Sequence, residues 1–196
     1  SESAGGGRGA ASLAASADGR WLLVANSQSS SVSVIENRQG RWQLQHPVLR
    51  VPTPPQAIAF APGAPRAVVL SDAPNGPDKL TIMDTSGIYP TVLGDSLSGP
   101  DFLVQTNSGS AYGCFGGFDE RNSALLSVSA AGDRIYVVPG NNSERALYEF
   151  MLPTDYPSAS TSVIYRRHNI ALSGNSVSKG LAVQPGRIND VEPPKL

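Results

Sequence analysis

Cysteine is almost absent. Cys114 is the only one in 196 residues, which excludes an internal disulfide and any zinc site built from thiolates. His46 and His168 are the only histidines, too few for a three-histidine catalytic metal, and no cofactor is expected. Charged residues make up 16% of the chain and nearly cancel, at a formal net charge of -1, so no basic field invites nucleic acid or an anionic membrane surface. No apolar run approaches the roughly 18–20 residues that a membrane-spanning helix needs, so no span is expected. What the chain has instead is 20 Gly, 16 Pro and many Ser, the composition of short strands and turns. An all-β fold follows.

A unit of sequence returns after 45 residues. LAASADGRWLLVAN at 13–26 is echoed by IAFAPGAPRAVVLSD at 58–72. In each, a short small-residue strand meets a turn and then a continuous apolar run of strand length. The first unit predicts strands at 13–16, 21–26, 32–35 and 41–51, and the second at 57–61, 67–71, 80–84 and 89–93. A step of about 40–45 residues over four short strands is the period of β-propeller blades, with the small-residue strand innermost, where space is tightest. Counting on by 45 puts a third inner strand at 102–106, followed by 112–115, 125–129 and 134–138. Beyond that point two registers compete. A further step of 45 reaches 147–151, but 127–139, SVSAAGDRIYVVP, itself has the form of the blade signature, and 180–187 again resembles an inner strand. The expected organisation is a flexible lead-in at 1–11, one propeller-like domain at 12–190 and a tail at 191–196. Blades are expected near 12–52, 53–97, 98–140 and 141–190.

Ser16-Ala17-Asp18-Gly19, the run 21–26 and Val32-Ser33-Val34-Ile35 resemble the YVTN-type repeat of lactonase-like β-propellers, and the linker at 51–63 resembles the joint between two blades of that family. The resemblance covers residues 12–84 well and is approximate beyond about residue 100. It implies a ring of six to eight blades, whereas 196 residues hold about four. The expectation is therefore a small ring, an incomplete one or a fragment, whose open strand edges pair with a protein partner or with a second copy.

Gly94-Asp95-Ser96-Leu97 resembles the nucleophile block of GDSL-type esterases. That resemblance implies Ser96 as nucleophile, Asn142 as oxyanion donor and His168 as base. The block here follows two β-repeats instead of opening an α/β domain, and Tyr165 stands where the family has an Asp three residues before the His. A blade-connecting turn accounts for the same four residues. Asp18, Asp72, Asp78, Asp84 and Asp119 have no compact calcium-loop spacing and read as turn caps, so no metal is expected.

Candidate binding residues are Trp42, Asp119, Arg121, Asn141, Asn142, Arg166 and Arg167. The loops at 28–31, 73–78, 119–122 and 141–144 are candidate contact surfaces at the ends of a propeller channel. In a strand, Arg166 and Arg167 point to opposite faces, so they are not expected to act as one clamp. Trp21 is expected to pack, and Cys114 to be a buried thiol. The chain starts at Ser1 and its composition is Ser/Gly/Asn-rich and Lys-poor, which favours a processed precursor and an extracytoplasmic protein. The reading as a whole is a non-catalytic binding or assembly module, with a lactonase-like or Ser96-dependent hydrolase as the alternative.

Overall fold

A computed structural model describes residues 7–72, 78–94, 97–98, 125–138, 146–152, 156 and 164–169. They form three antiparallel sheets and no α-helix. The first sheet is a meander of β1 (Ala10–Ala15), β2 (Trp21–Asn26), β3 (Ser31–Arg38) and β4 (Arg41–Arg50). The second contains β5 (Pro55–Phe60), β6 (Arg66–Ser71) and β7 (Lys79–Asp84). Its fourth position is shared by two short strands that both pair with β7, β8 (Thr91–Val92) and β9 (Leu97–Ser98). The third is β10 (Leu125–Val128), β11 (Arg134–Val138), β12 (Ala146–Met151) and β13 (Ile164–Asn169), again in chain order.

The repeat is geometric as well as sequential. Ala10 pairs with Asn26 and, after a bulge, Ser12 with Ala25; 45 residues on, Pro55 pairs with Ser71 and, after the same bulge, Ala57 with Leu70. The turn between the first two strands also recurs. Ser16 N–H donates to Trp21 O, Ala61 N–H to Arg66 O and Ser129 N–H to Arg134 O, each at 2.9 Å. In the first and third sheets the serine hydroxyl donates to an aspartate, Ser16 to Asp18 at 2.6 Å and Ser129 to Asp133 at 2.7 Å. It also accepts the N–H that opens the next strand. Gly19 and Gly132 take the left-handed position of these two turns, at φ of 70° and 71°.

The step from Ser16 to Ala61 is 45 residues, but from Ser16 to Ser129 it is 113. Among the described residues the third sheet spans 125–169; β10 and β11 fall where strands were expected at 125–129 and 134–138. The strands follow the competing register, in which 127–139 is the blade signature. The physical reason is that the second and third sheets share one core among the described residues. Ala57, Val68, Leu70, Leu80 and Ile82 share one core with Val128, Ile135, Val137, Tyr148 and Phe150. Gly63 N–H donates to Ala130 O at 3.0 Å, and Tyr156 Oη to Leu93 O at 2.9 Å. The expected strands at 102–106, 112–115 and 180–187, and Cys114, lie outside the described residues.

β1 opens at Ala10, within the stretch expected as lead-in. Gly7 N–H donates to Ser33 Oγ, Arg8 N–H to Ser29 Oγ and Ser27 N–H to Gly9 O, so the backbone from Gly7 onward is tied to the first sheet. A second core joins Trp21, Leu23, Ala25, Val32 and Val34 of the first sheet to Ile58, Ala67, Val69 and Met83 of the second. β6 thus buries both its faces, Val68 and Leu70 toward the third sheet and Ala67 and Val69 toward the first, which is why its sequence is continuously apolar. β1 lies beside β5 and β5 beside β10, so the first strand of each sheet is the inner one. Three such sheets stacked in order are blades of a propeller-type architecture.

Candidate functional site

Two buried glutamates organise the polar chemistry of the described residues. Glu36 on β3 is held by Arg38 Nε at 2.7 Å and by Arg20 at 3.3 Å, and Arg20 lies over the Trp21 ring, 4.5 Å from its centroid. Burial pushes the Glu36 carboxyl up, but the hydrogen bonds from Arg38 and Arg20 outweigh it, and its pKa sits below the ordinary carboxylate value. Glu149 on β12 accepts from Arg134 Nη1 at 2.8 Å and from His168 Nε2 at 3.0 Å. Here too burial raises the carboxyl, while the bonds from His168 and Arg134 bring it below the ordinary value. Burial, followed by the nearby Glu149 charge, raises the Tyr136 phenol.

Strand register explains this second cluster. Tyr136 stands opposite Glu149, and Glu149 opposite Arg166, so Tyr136, Glu149, Arg166 and His168 share one face of the third sheet. The places of this cross-strand pair are filled by Leu23 and Val34 in the first sheet and by Val68 and Ile82 in the second. The third sheet thus carries a carboxylate where the others carry core. Its other face holds Tyr148 and Phe150, with Arg167 Nε donating to Tyr148 Oη at 3.3 Å. Arg166 and Arg167 therefore do lie on opposite faces, and both are exposed.

Of the esterase set, His168 is within the described residues and its Nε2 is engaged by Glu149; Ser96 and Asn142 lie outside them. Asp119, Arg121 and Asn141 also lie outside, together with the loops at 119–122 and 141–144 and all of 73–78 except Asp78. The loop at 28–31 is described and overlaps a single 3-10 turn, Ser27–Ser29. Asp18 and Asp84 cap turns, accepting from Arg20 N–H at 3.0 Å and Ser86 N–H at 2.8 Å. Trp42 is 51% exposed, while Trp21 is 1% exposed and donates from Nε1 to Thr85 O at 3.2 Å. Sequence reasoning missed Glu36 and Glu149. For Glu149 the available signal was a lone carboxylate within the apolar run of β12, alternating against Tyr148 and Phe150.

Trp42 belongs to the second feature of interest, the face of the first sheet turned away from the second. Pairing places Leu13 with Val24, and Ala15, Leu22, Ile35 and Leu44 in one cross-strand row. Leu13 is 65% and Leu44 37% exposed and Leu22, Val24 and Ile35 are half-buried, so this apolar sheet face is largely open among the described residues, with Gly7 lying against Ser33 at one end.

No family model matches the sequence, and no curated protein matches it. Solved structures do. A candidate 6-phosphogluconolactonase from Bacteroides uniformis aligns over 85% of this chain and 43% of its own, with a TM-score of 0.56 at 8% identity. A protein of unknown function from Desulfotomaculum acetoxidans aligns over 82% of this chain and 43% of its own, with a TM-score of 0.56 at 15% identity. At such identities the likeness is one of fold, and it agrees with the blade architecture. The chain spans less than half the length of either structure.

The two glutamates make stability acid-sensitive. Because Glu36 and Glu149 have lowered pKa values in the folded protein, their contribution is present above the ordinary carboxylate value of 4.5 and is lost as pH falls through the lowered folded values. Denaturant titrations should give a midpoint that is flat near neutrality and drops steadily in acid. Glu149→Gln should lower the neutral midpoint and flatten the acid fall; an unchanged acid limb would contradict the assignment.

Proposed function

We propose that this chain is a non-catalytic binding or assembly module of YVTN-like β-propeller type that works outside the cytoplasm. The observation that carries this reading is the apolar face of the first sheet that the described residues leave largely open. Its residues are of core type and stand in a continuous patch, the signature of a surface that another protein element covers. Both buried glutamates are occupied by ion pairs that tie strands together, which suits a structural role. The location rests on the Ser/Gly/Asn-rich, Lys-poor composition. The alternative is hydrolysis, favoured by the fold likeness to the Bacteroides uniformis protein. A panel of short-chain esters and lactones separates the two. The module reading expects no turnover above buffer, and turnover abolished by Ser96→Ala or His168→Ala would replace it with the esterase.

A further inference from the structure

Each of the three sheets ends on an outer strand, and the three outer edges are not alike. β4 pairs with β3 through a register shift between Val32 and Val34 and contains Pro47, which has no N–H to offer and whose carbonyl accepts from the Tyr89 hydroxyl. The second sheet closes on β8 and β9, of two residues each. A bulge, a proline and shortness are ordinary ways of keeping an edge from pairing. β13 has none of them. It runs opposite Ala146–Met151 with no shift in register, each of its residues keeps its N–H, and among the described residues no strand pairs with its other edge.

What β13 carries instead is charge. Arg166, Arg167 and His168 are exposed in succession. Both oxygens of Glu149, the carboxylate opposite Arg166, are taken, by Arg134 at 2.8 Å and by His168 at 3.0 Å. Arg167 lies on the other face, with its Nε on Tyr148 Oη. The strand thus presents one guanidinium on each face. Cations along an edge repel a strand that also carries cations, so symmetric pairing with a second copy of β13 is disfavoured, whereas a strand bearing carboxylates is attracted. Because Arg166 and Arg167 face opposite ways, two neighbouring acidic residues on an incoming strand meet one guanidinium each.

We infer that the outer edge of β13 is the docking strand for an extended acidic segment of a protein partner. The segment adds to the third sheet through main-chain hydrogen bonds and sets two consecutive carboxylates against Arg166 and Arg167. This takes the binding-module reading to a second surface and rests on it only for the partner being a protein. The open face of the first sheet plays no part.

The probe is a fluorescein-labelled peptide, TVTEEVTV, titrated with the full chain and read by fluorescence anisotropy. Saturable binding is expected. The same peptide N-methylated at its two glutamates loses hydrogen bonds on both edges and keeps its charge; it should bind at least tenfold more weakly, and so should TVTQQVTV. Arg166→Gln with Arg167→Gln should weaken binding of the parent peptide at least tenfold, whereas Arg41→Gln, on the outer strand of the first sheet, should leave it unchanged. Arg166→Glu with Arg167→Glu should turn the preference over to TVTKKVTV. Amide proton exchange with peptide bound should slow within β13 and not within β4. Absence of binding overturns the inference while the binding-module reading, carried by the first sheet, stands. An N-methylated peptide that binds as well as the parent, or heparin that displaces it equally well, makes the contact one of charge alone and overturns strand addition. Binding that survives the glutamine variants puts the site elsewhere and overturns the inference as well. Should those variants not fold, the parent and N-methylated peptides on the unaltered chain, with exchange in β13, decide the matter.

Discussion

Trp21→Ala is expected to lower stability by about 3–5 kcal/mol, the range for emptying a buried aromatic site. Trp21 fills the seam between the first and second sheets, with its indole N–H on the Thr85 carbonyl and the Arg20 guanidinium over its ring. Removing it leaves a cavity against Ile58, Val69 and Met83, strips the Thr85 carbonyl of its partner and loosens Arg20, which holds Glu36 and reaches Ile88 O in the loop between β7 and β8. Trp21→Phe keeps most of the apolar volume and loses the indole bond, so it should cost about 1 kcal/mol plus a packing penalty. Urea titrations of the three proteins give the order directly. A Trp21→Ala midpoint close to that of the parent would mean that the two sheets do not share this core.

Phe150→Ala should have an effect of the same size, about 3–5 kcal/mol, in the other seam. Phe150 is fully buried on β12, opposite Ile135, among the residues that face Leu70, Leu80 and Ile82 of the second sheet. The two substitutions act in separate cores that meet only through β6 and its neighbours. Their effects should therefore add in the double variant to within about 0.5 kcal/mol, as for distant sites. Strong non-additivity in equilibrium denaturation would show one continuous core in place of two.

The first two sheets were legible because two successive copies of one unit agree in strand order, turn and spacing. The turn Ser16-Ala17-Asp18-Gly19 states its own mechanism: a serine that closes the loop through Asp18, and a glycine in the left-handed region. The third sheet was legible only in one of the two registers, that of 127–139. The 45-residue count did expect strands where β10 and β11 lie, and those it set at 102–106 and 112–115 fall outside the described residues. Packing decided the matter, because the apolar faces of β6 and β7 bury against β11 and β12. The exposure of Trp42 was legible from its place beside Arg41 on an outer strand. The glutamate clusters were not. Arg134, Glu149 and His168 are far apart in sequence, and only the pairing of β11, β12 and β13 brings their side chains to one face.

The direct test of the stacked arrangement is the set of proton contacts across the second seam, measured by methyl-labelled nuclear magnetic resonance on the full chain. Contacts from the methyls of Leu70, Leu80 and Ile82 to the rings of Tyr148 and Phe150 are the predicted result. Contacts from those methyls to Phe102 instead, where the 45-residue count would seat the next blade, would contradict it.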